Sequence, residues 1–132
     1  MPAKRAAAII HERNIRYPSE ICVRDIAMSL NAFVRERELY GCEARLVRNN
    51  RMGIISVNSL IPEEGRKRFA IAHEIGHFLL HADTQLILCD EKDMYVWRES
   101  KKREMEANKF AAGLLMPYEI FMDFIKIGQP TF

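Results

Sequence analysis

The run RFAIAHEIGHFLLH, residues 68 to 81, constrains the chain more than any other stretch. Phe69, Ile71, Ile75, Phe78, Leu79 and Leu80 follow the pattern of a buried helix, which gives the polar residues between them a fixed support. Those polar residues spell H-E-x-x-H: His73, Glu74 and His77. Residues four apart on a helix share a face, so the two imidazoles can grip one zinc ion. Glu74 stands next to the first of them. From there a carboxylate reaches a zinc-bound water without filling a coordination position, which suits it to act as a general base.

Two imidazoles leave a zinc ion short of a third protein ligand, and KKREMEANKFAAGLLMP offers one downstream. Glu104 shares a helical face with Asn108, Ala111 and Leu115, whereas Glu106, the rival ligand, points about 160° away from that stripe. Glu104 is therefore the preferred ligand. Asn108, one turn further along, can hydrogen-bond His73 or the ligating carboxylate from outside the coordination sphere. His81 continues the series His73, His77, His81, but eight residues of helix put it about 12 Å from His73, while zinc–nitrogen distances are about 2 Å. It is not a third ligand, and a His in the last turn is expected to meet terminal carbonyls. His11 has no motif partner.

Length and composition add limits. A chain of 132 residues is expected to form one domain over 1–132, large enough for a real core. A net charge of +2 does not point to a dedicated nucleic-acid binder. Cys22, Cys42 and Cys89 are odd in number and lack C-x-x-C spacing, which suggests reduced thiols in a cytoplasm. The opening MPAKRAAAIIHERNIR has too short an apolar stretch for a signal peptide or a membrane span.

The chain reads as α+β. A first helix is expected over 3–14, and a second over 20–31 capped by Ser19, with Ile21, Ile26 and Leu30 inward. VRDIAMSLNAFV invites a helix-turn-helix reading, but FVRERELY, CEARLVR and IISVN then alternate or carry β-branched residues, and Asn49, Asn50 and Gly53 mark a hairpin turn. These segments predict a small three-stranded, mainly antiparallel sheet. Ile54 to Val57, which leads into the motif helix, is the first candidate for the edge strand beside it, with an interior strand as the alternative. The motif helix is expected to start near Pro62 and end near Leu80. LILC and MYVW read as short extended pieces around DEKD at the rim of the cleft. A ligand helix follows from about Ser100 to Leu115, ended by Pro117, and a last short helix over 118–127 stops at Gly128.

AHEIGHFLLH followed by EMEANKFAAGLLMP resembles the ImmA/IrrE family of gluzincin-type metallopeptidases, whose pattern is an H-E-x-G-H helix, then E-x-x-A-N-x-F-A, then L-L-M-P. The resemblance extends over most of residues 5 to 118, with the two C-terminal blocks the specific part. It implies a zincin-like fold, Zn2+ held by His73, His77 and Glu104, and Glu74 as the base. It further implies a cytoplasmic peptidase that cuts a protein substrate, a transcriptional repressor, in mobile-element or stress control. Peptide hydrolysis also needs a group for the oxyanion. Tyr40, Tyr95 and Tyr118 are the candidates, and Tyr95 is preferred because its segment should border the cleft.

Two other classes compete with this reading. A non-catalytic zinc-containing binding module would have no need of Glu74. A DNA-associated regulator is suggested by RNNR at 48–51, RKR at 66–68 and RESKKR at 98–103, but basic clusters this short usually form solvated faces. No direct nucleic-acid partner and no membrane association are expected.

Overall fold

A proline at the first helical position has a φ already suited to the helix and lacks only an N–H that would go unbonded there. In the computed structural model, which describes residues 2–49, 51–81 and 94–117 (side chains of 18 and 94–99 excepted), α1 (Pro2–Glu12) opens this way. It buries Ala6, Ile9 and Ile10. Asn14 stops it by taking the left-handed region at φ 54°, which asparagine tolerates better than most side chains. The Asn14 and Ile15 N–H groups then donate to the carbonyls of His11 and Ile10, closing the last turn.

The expected second helix over 20–31 is shorter and is not capped by Ser19. Glu20 Oε1 accepts the N–H groups of Arg16 and Tyr17 at 3.3 and 3.1 Å, which folds 16–20 into a separate turn with a 3₁₀ segment at Pro18–Glu20. Helix α2 (Val23–Ser29) begins only after Cys22, which occupies the cap position without a side-chain bond. Asn31, at φ 67°, turns the chain straight into β1 (Ala32–Arg37). The second helix that a helix-turn-helix requires is therefore a strand.

Strands β2 (Ala44–Arg48) and β3 (Gly53–Asn58) form the expected hairpin. Asn49 Oδ1 accepts the N–H groups of Arg51 and Met52 at 2.8 and 2.9 Å, so the side chain closes the turn. The sheet, however, is mixed rather than mainly antiparallel, with order β1-β3-β2. β3 pairs antiparallel with β2 and parallel with β1. Asn58 pins the connection between β1 and β2. Its Nδ2 donates to the carbonyls of Leu39 and Cys42, and its Oδ1 accepts from the N–H groups of Leu39 and Leu60. The loop between β1 and β2 is thereby held across the end of β3. Ile54 to Val57 consequently lies in the interior strand, and the first candidate for the edge is corrected: among the described residues the edges are β1 and β2.

The sheet presents two unlike faces. Ile55 and Val57 are fully buried toward the helices, whereas Phe33, Ile54 and Val47, in register across the three strands, are exposed. Against the buried face lies α3 (Glu64–Leu80), with Glu63 as its cap; Pro62 precedes the helix instead of opening it. Ala70, Ile71, Ala72, Ile75, Gly76, His77 and Phe78 of this helix are all buried, so most of its circumference is covered. α4 (Met94–Leu115) starts earlier than expected, because MYVW is its first turn and not an extended piece. Aromatic and β-branched residues lose only a few tenths of a kcal/mol in a helix, a preference that packing readily overrides. The expected LILC strand and the last helix over 118–127 lie outside the described residues.

Packing of α4 on α3 governs where the polar side chains meet. A Cβ at Gly76 would come within 3.2 Å of Ala107 Cα and of Phe110 Cδ1, so the glycine lets the two helices touch backbone to side chain. Phe110 and Leu114 of α4 are fully buried with Ile71 and Ile75 of α3. Each such side chain contributes about 1.5–3 kcal/mol through burial, which fixes the helix pair firmly. The opposite side of α4 receives α1, where Ala6 Cβ lies 3.3 Å from the Cβ position of Gly113.

Candidate metal centre

The i, i+4 spacing on α3 and the close approach at Gly76 bring three donor groups to one point. Ligand atoms of His73, His77 and Glu104 all lie within 4.8 Å of one another. His73 Nε2 is 2.8 Å from Glu104 Oε2, His77 Nε2 is 2.9 Å from Glu104 Oε1, and the two Nε2 atoms are 3.1 Å apart. Glu106 is not part of this cluster. Its carboxylate lies 3.8 Å from His81 Nε2 instead.

The surroundings set the tautomer of the first imidazole. Asn108 Oδ1 lies 2.7 Å from His73 Nδ1, and because an amide oxygen can only accept, Nδ1 carries the proton and donates. In the neutral ring Nε2 of His73 is then left with its lone pair facing His77 and Glu104, and when the ring is protonated the same nitrogen donates to Glu104 Oε2 at 2.8 Å. Two imidazole nitrogens and a carboxylate oxygen, one nitrogen already oriented from behind, form a donor set that fits a divalent ion such as zinc.

Electrostatics follow the same arrangement. Burial alone pushes the His73 pKa down, but the hydrogen bond and charge of Glu104, with help from Glu74 and Asn108, outweigh it and raise it above the ordinary value. Hydrogen bonds from His73 and His77 hold the Glu104 carboxyl far below the usual carboxylate range, against the opposing effect of burial. Glu74 shifts the other way. Its burial raises the pKa, only partly offset by the two imidazoles, so this carboxylate holds a proton more readily than one in water.

A cleft opens beside the three groups. It is lined by Glu43 and Ala44 at the start of β2, by Phe69, Ala70, His73 and Glu74 of α3, and by Glu104 and Asn108 of α4. Among the described residues β2 is thus the edge strand next to the imidazoles. Arg66 pairs with Glu43 across the cleft rim, Lys67 with Glu36 at 2.7 Å, and Arg68 donates to the Ile21 carbonyl at 3.1 Å. The basic run 66–68 is therefore engaged within the fold.

A family model, the peptidase M78 family with its IrrE N-terminal-like domain, matches residues 25–130. The chain belongs to this family. Among curated relatives, a radiation response metalloprotease IrrE of Deinococcus deserti is 42% identical over 79 residues, 59% of this chain and 27% of that protein. The IrrE protein of Deinococcus radiodurans is 38% identical over 79 residues, 59% of this chain and 24% of its own length. The match thus spans about a quarter of each relative. Membership of the IrrE-type metallopeptidase family implies a metal ion, and the His73, His77 and Glu104 cluster is the place among the described residues able to hold one.

Some expected site residues do not join the cluster. Tyr95 lies in the first turn of α4, and its side chain is outside the described residues; helical rise alone places its backbone about 13 Å before Glu104. Tyr118 is also outside them. Tyr40 is 83% exposed and is not among the described residues lining the cleft. His81 makes a contact that the sequence reading did not include: its ring is buried, with Nδ1 2.9 Å from His77 Nδ1. The signal was in the spacing, since His77 and His81 are again four apart and share a face.

Proposed function

We propose that the protein is a zinc-dependent endopeptidase with a zincin-like fold, in which His73, His77 and Glu104 hold the ion. The observation that carries this reading is the convergence of the three ligand atoms next to Glu74 in an open cleft. When bound, zinc supplies Lewis acidity toward a peptide carbonyl and acidifies water. Asn108 orients His73, and the close contact at Gly76 holds Glu104 against both imidazoles. Glu74, whose burial raises its proton affinity, takes the proton from the attacking water and passes it to the leaving nitrogen.

Substrate would lie along β2. An extended peptide can pair with a sheet edge through main-chain hydrogen bonds, and Glu43 and Ala44 bring β2, an edge among the described residues, to the cleft. The resemblance and the relatives support a protein substrate. We assign a transcriptional repressor as that substrate, a cytoplasmic setting, and residues 1–132 as a single domain. No helix among the described residues is long and apolar enough to cross a membrane.

The test is to incubate candidate repressors with the zinc-loaded wild type and with Glu74→Gln. Single-site, chelator-sensitive cleavage by wild type is expected. Glu74→Gln should keep its zinc and lose cleavage by at least about a hundredfold, because an amide cannot accept the proton. Equal cleavage by both proteins, or cleavage unaffected by the chelator, would contradict the reading. Zinc retained with no cleavage of any candidate by wild type would favour a binding module instead.

A further inference from the structure

We infer that His81 is a positioning residue for the metal centre, accepting the proton of His77 Nδ1 so that His77 Nε2 is free to bind the ion. The inference rests on the reading of His77 as a ligand and goes beyond it by assigning what holds that ligand.

His77 Nδ1 and His81 Nδ1 lie 2.9 Å apart, so one of these nitrogens donates and the other accepts. If His81 donated, His77 Nδ1 would have to be bare, and a neutral His77 would then carry its proton on Nε2. That nitrogen points at His73 Nε2 and Glu104, and a protonated nitrogen cannot ligate a metal. Metal binding through Nε2 therefore requires His77 to donate from Nδ1. His81 must then accept on Nδ1 and carry its own proton on Nε2.

Geometry supports a fixed arrangement. The two rings are tilted at 50° with centroids 5.0 Å apart, and both residues are buried, at 5% and 8% exposure. His81 closes α3, where its backbone N–H donates to the His77 carbonyl at 3.0 Å, so backbone and ring both tie it to the same residue. The two imidazole ligands are thus supported differently. His73 is oriented from α4 by Asn108, and His77 from its own helix by His81. Partners of this kind fix ring orientation and raise ligand basicity, and losing one typically weakens metal binding about ten- to a hundredfold.

Two variants separate this role from packing. His81→Phe keeps a buried ring but has no acceptor, whereas the Oδ1 of His81→Asn sits near the place of Nδ1 and can still accept. Zinc affinity, measured by competition with a chromophoric chelator, should fall about ten- to a hundredfold in His81→Phe and stay within about threefold of wild type in His81→Asn. Wild-type affinity in His81→Phe would overturn the proposal, as would an equal loss in both variants. His77→Ala serves as the control. If it keeps full zinc affinity, the ligand reading itself fails; if it loses zinc while the His81 variants do not, only the positioning role fails.

A measurement on the unaltered protein covers the case in which a variant does not fold. Long-range ¹H–¹⁵N spectra of the zinc-loaded wild type distinguish the tautomers of individual imidazoles. The expected result is His77 protonated on Nδ1 and His81 protonated on Nε2 alone. A proton on His81 Nδ1 would overturn the assignment.

Discussion

Where α3 crosses α4, Gly76 leaves no room for even a methyl group without displacement of Ala107 or Phe110, and fully buried side chains surround the contact. Across the cleft, β2 alternates exposed and half-buried residues, and the outer face of the sheet leaves Phe33, Ile54 and Val47 open to solvent. On the proposed function the two regions have different tasks. Three proposed ligand atoms would have to stay within ångströms of one point, which calls for a rigid helix pair. An edge strand proposed to receive a peptide would keep its backbone accessible and give up burial to do so.

Substitutions of modest size should therefore have unequal consequences on the two sides. The largest effect is expected for Phe110→Ala, which empties a fully buried site between the ligand-bearing helices and should cost about 3–5 kcal/mol in denaturant unfolding, with loss of zinc uptake. Gly76→Val should come next. Its added carbons meet Ala107 and Phe110, the helices must separate, and about 1–3 kcal/mol of stability should be lost together with zinc affinity. Normal zinc binding in a folded Gly76→Val protein would break the link between close helix contact and ligand geometry.

Smaller effects belong to the sheet. Glu36 on β1 is held below its ordinary pKa by the hydrogen bond and charge of Lys67, with Arg24 contributing. A depressed carboxyl pKa stabilises the fold above the unfolded value of 4.5 and ceases to do so as pH falls through the folded value. Glu36→Gln should accordingly lower the melting temperature slightly at pH 7 and match wild type in acid, as thermal scans at the two pH values would reveal. The smallest effect is expected from Val47→Thr on the exposed side of β2, within about 0.5 kcal/mol and with zinc affinity unchanged. A loss of several kcal/mol there would erase the contrast between the two regions.

Sequence and structure agree most closely where chemistry and helical spacing coincide. His73 and His77 are one turn apart on a helix whose apolar pattern is strong, and Glu104, unlike Glu106, shares a face with Asn108; the fold brings those groups together. Strand pairing was less legible. Alternation along FVRERELY and CEARLVR tells which side chains point in, but carries nothing about which strand lies beside which. The parallel pairing of β1 with β3 goes with Asn58 bonding a loop up to 19 residues away, a contact that local alternation does not announce. The start of α4 was obscured by β-prone residues whose local preference is weak. His81 was visible in the spacing, but measuring it only against the metal hid its contact with His77.

The account depends most on Glu104 rather than Glu106 completing the metal centre. Elemental analysis of purified wild type, Glu104→Ala and Glu106→Ala, each loaded with zinc and then desalted, tests this directly. About one zinc per chain is expected in wild type and in Glu106→Ala, with little or none retained by Glu104→Ala. Full zinc content in Glu104→Ala, or loss confined to Glu106→Ala, would contradict it.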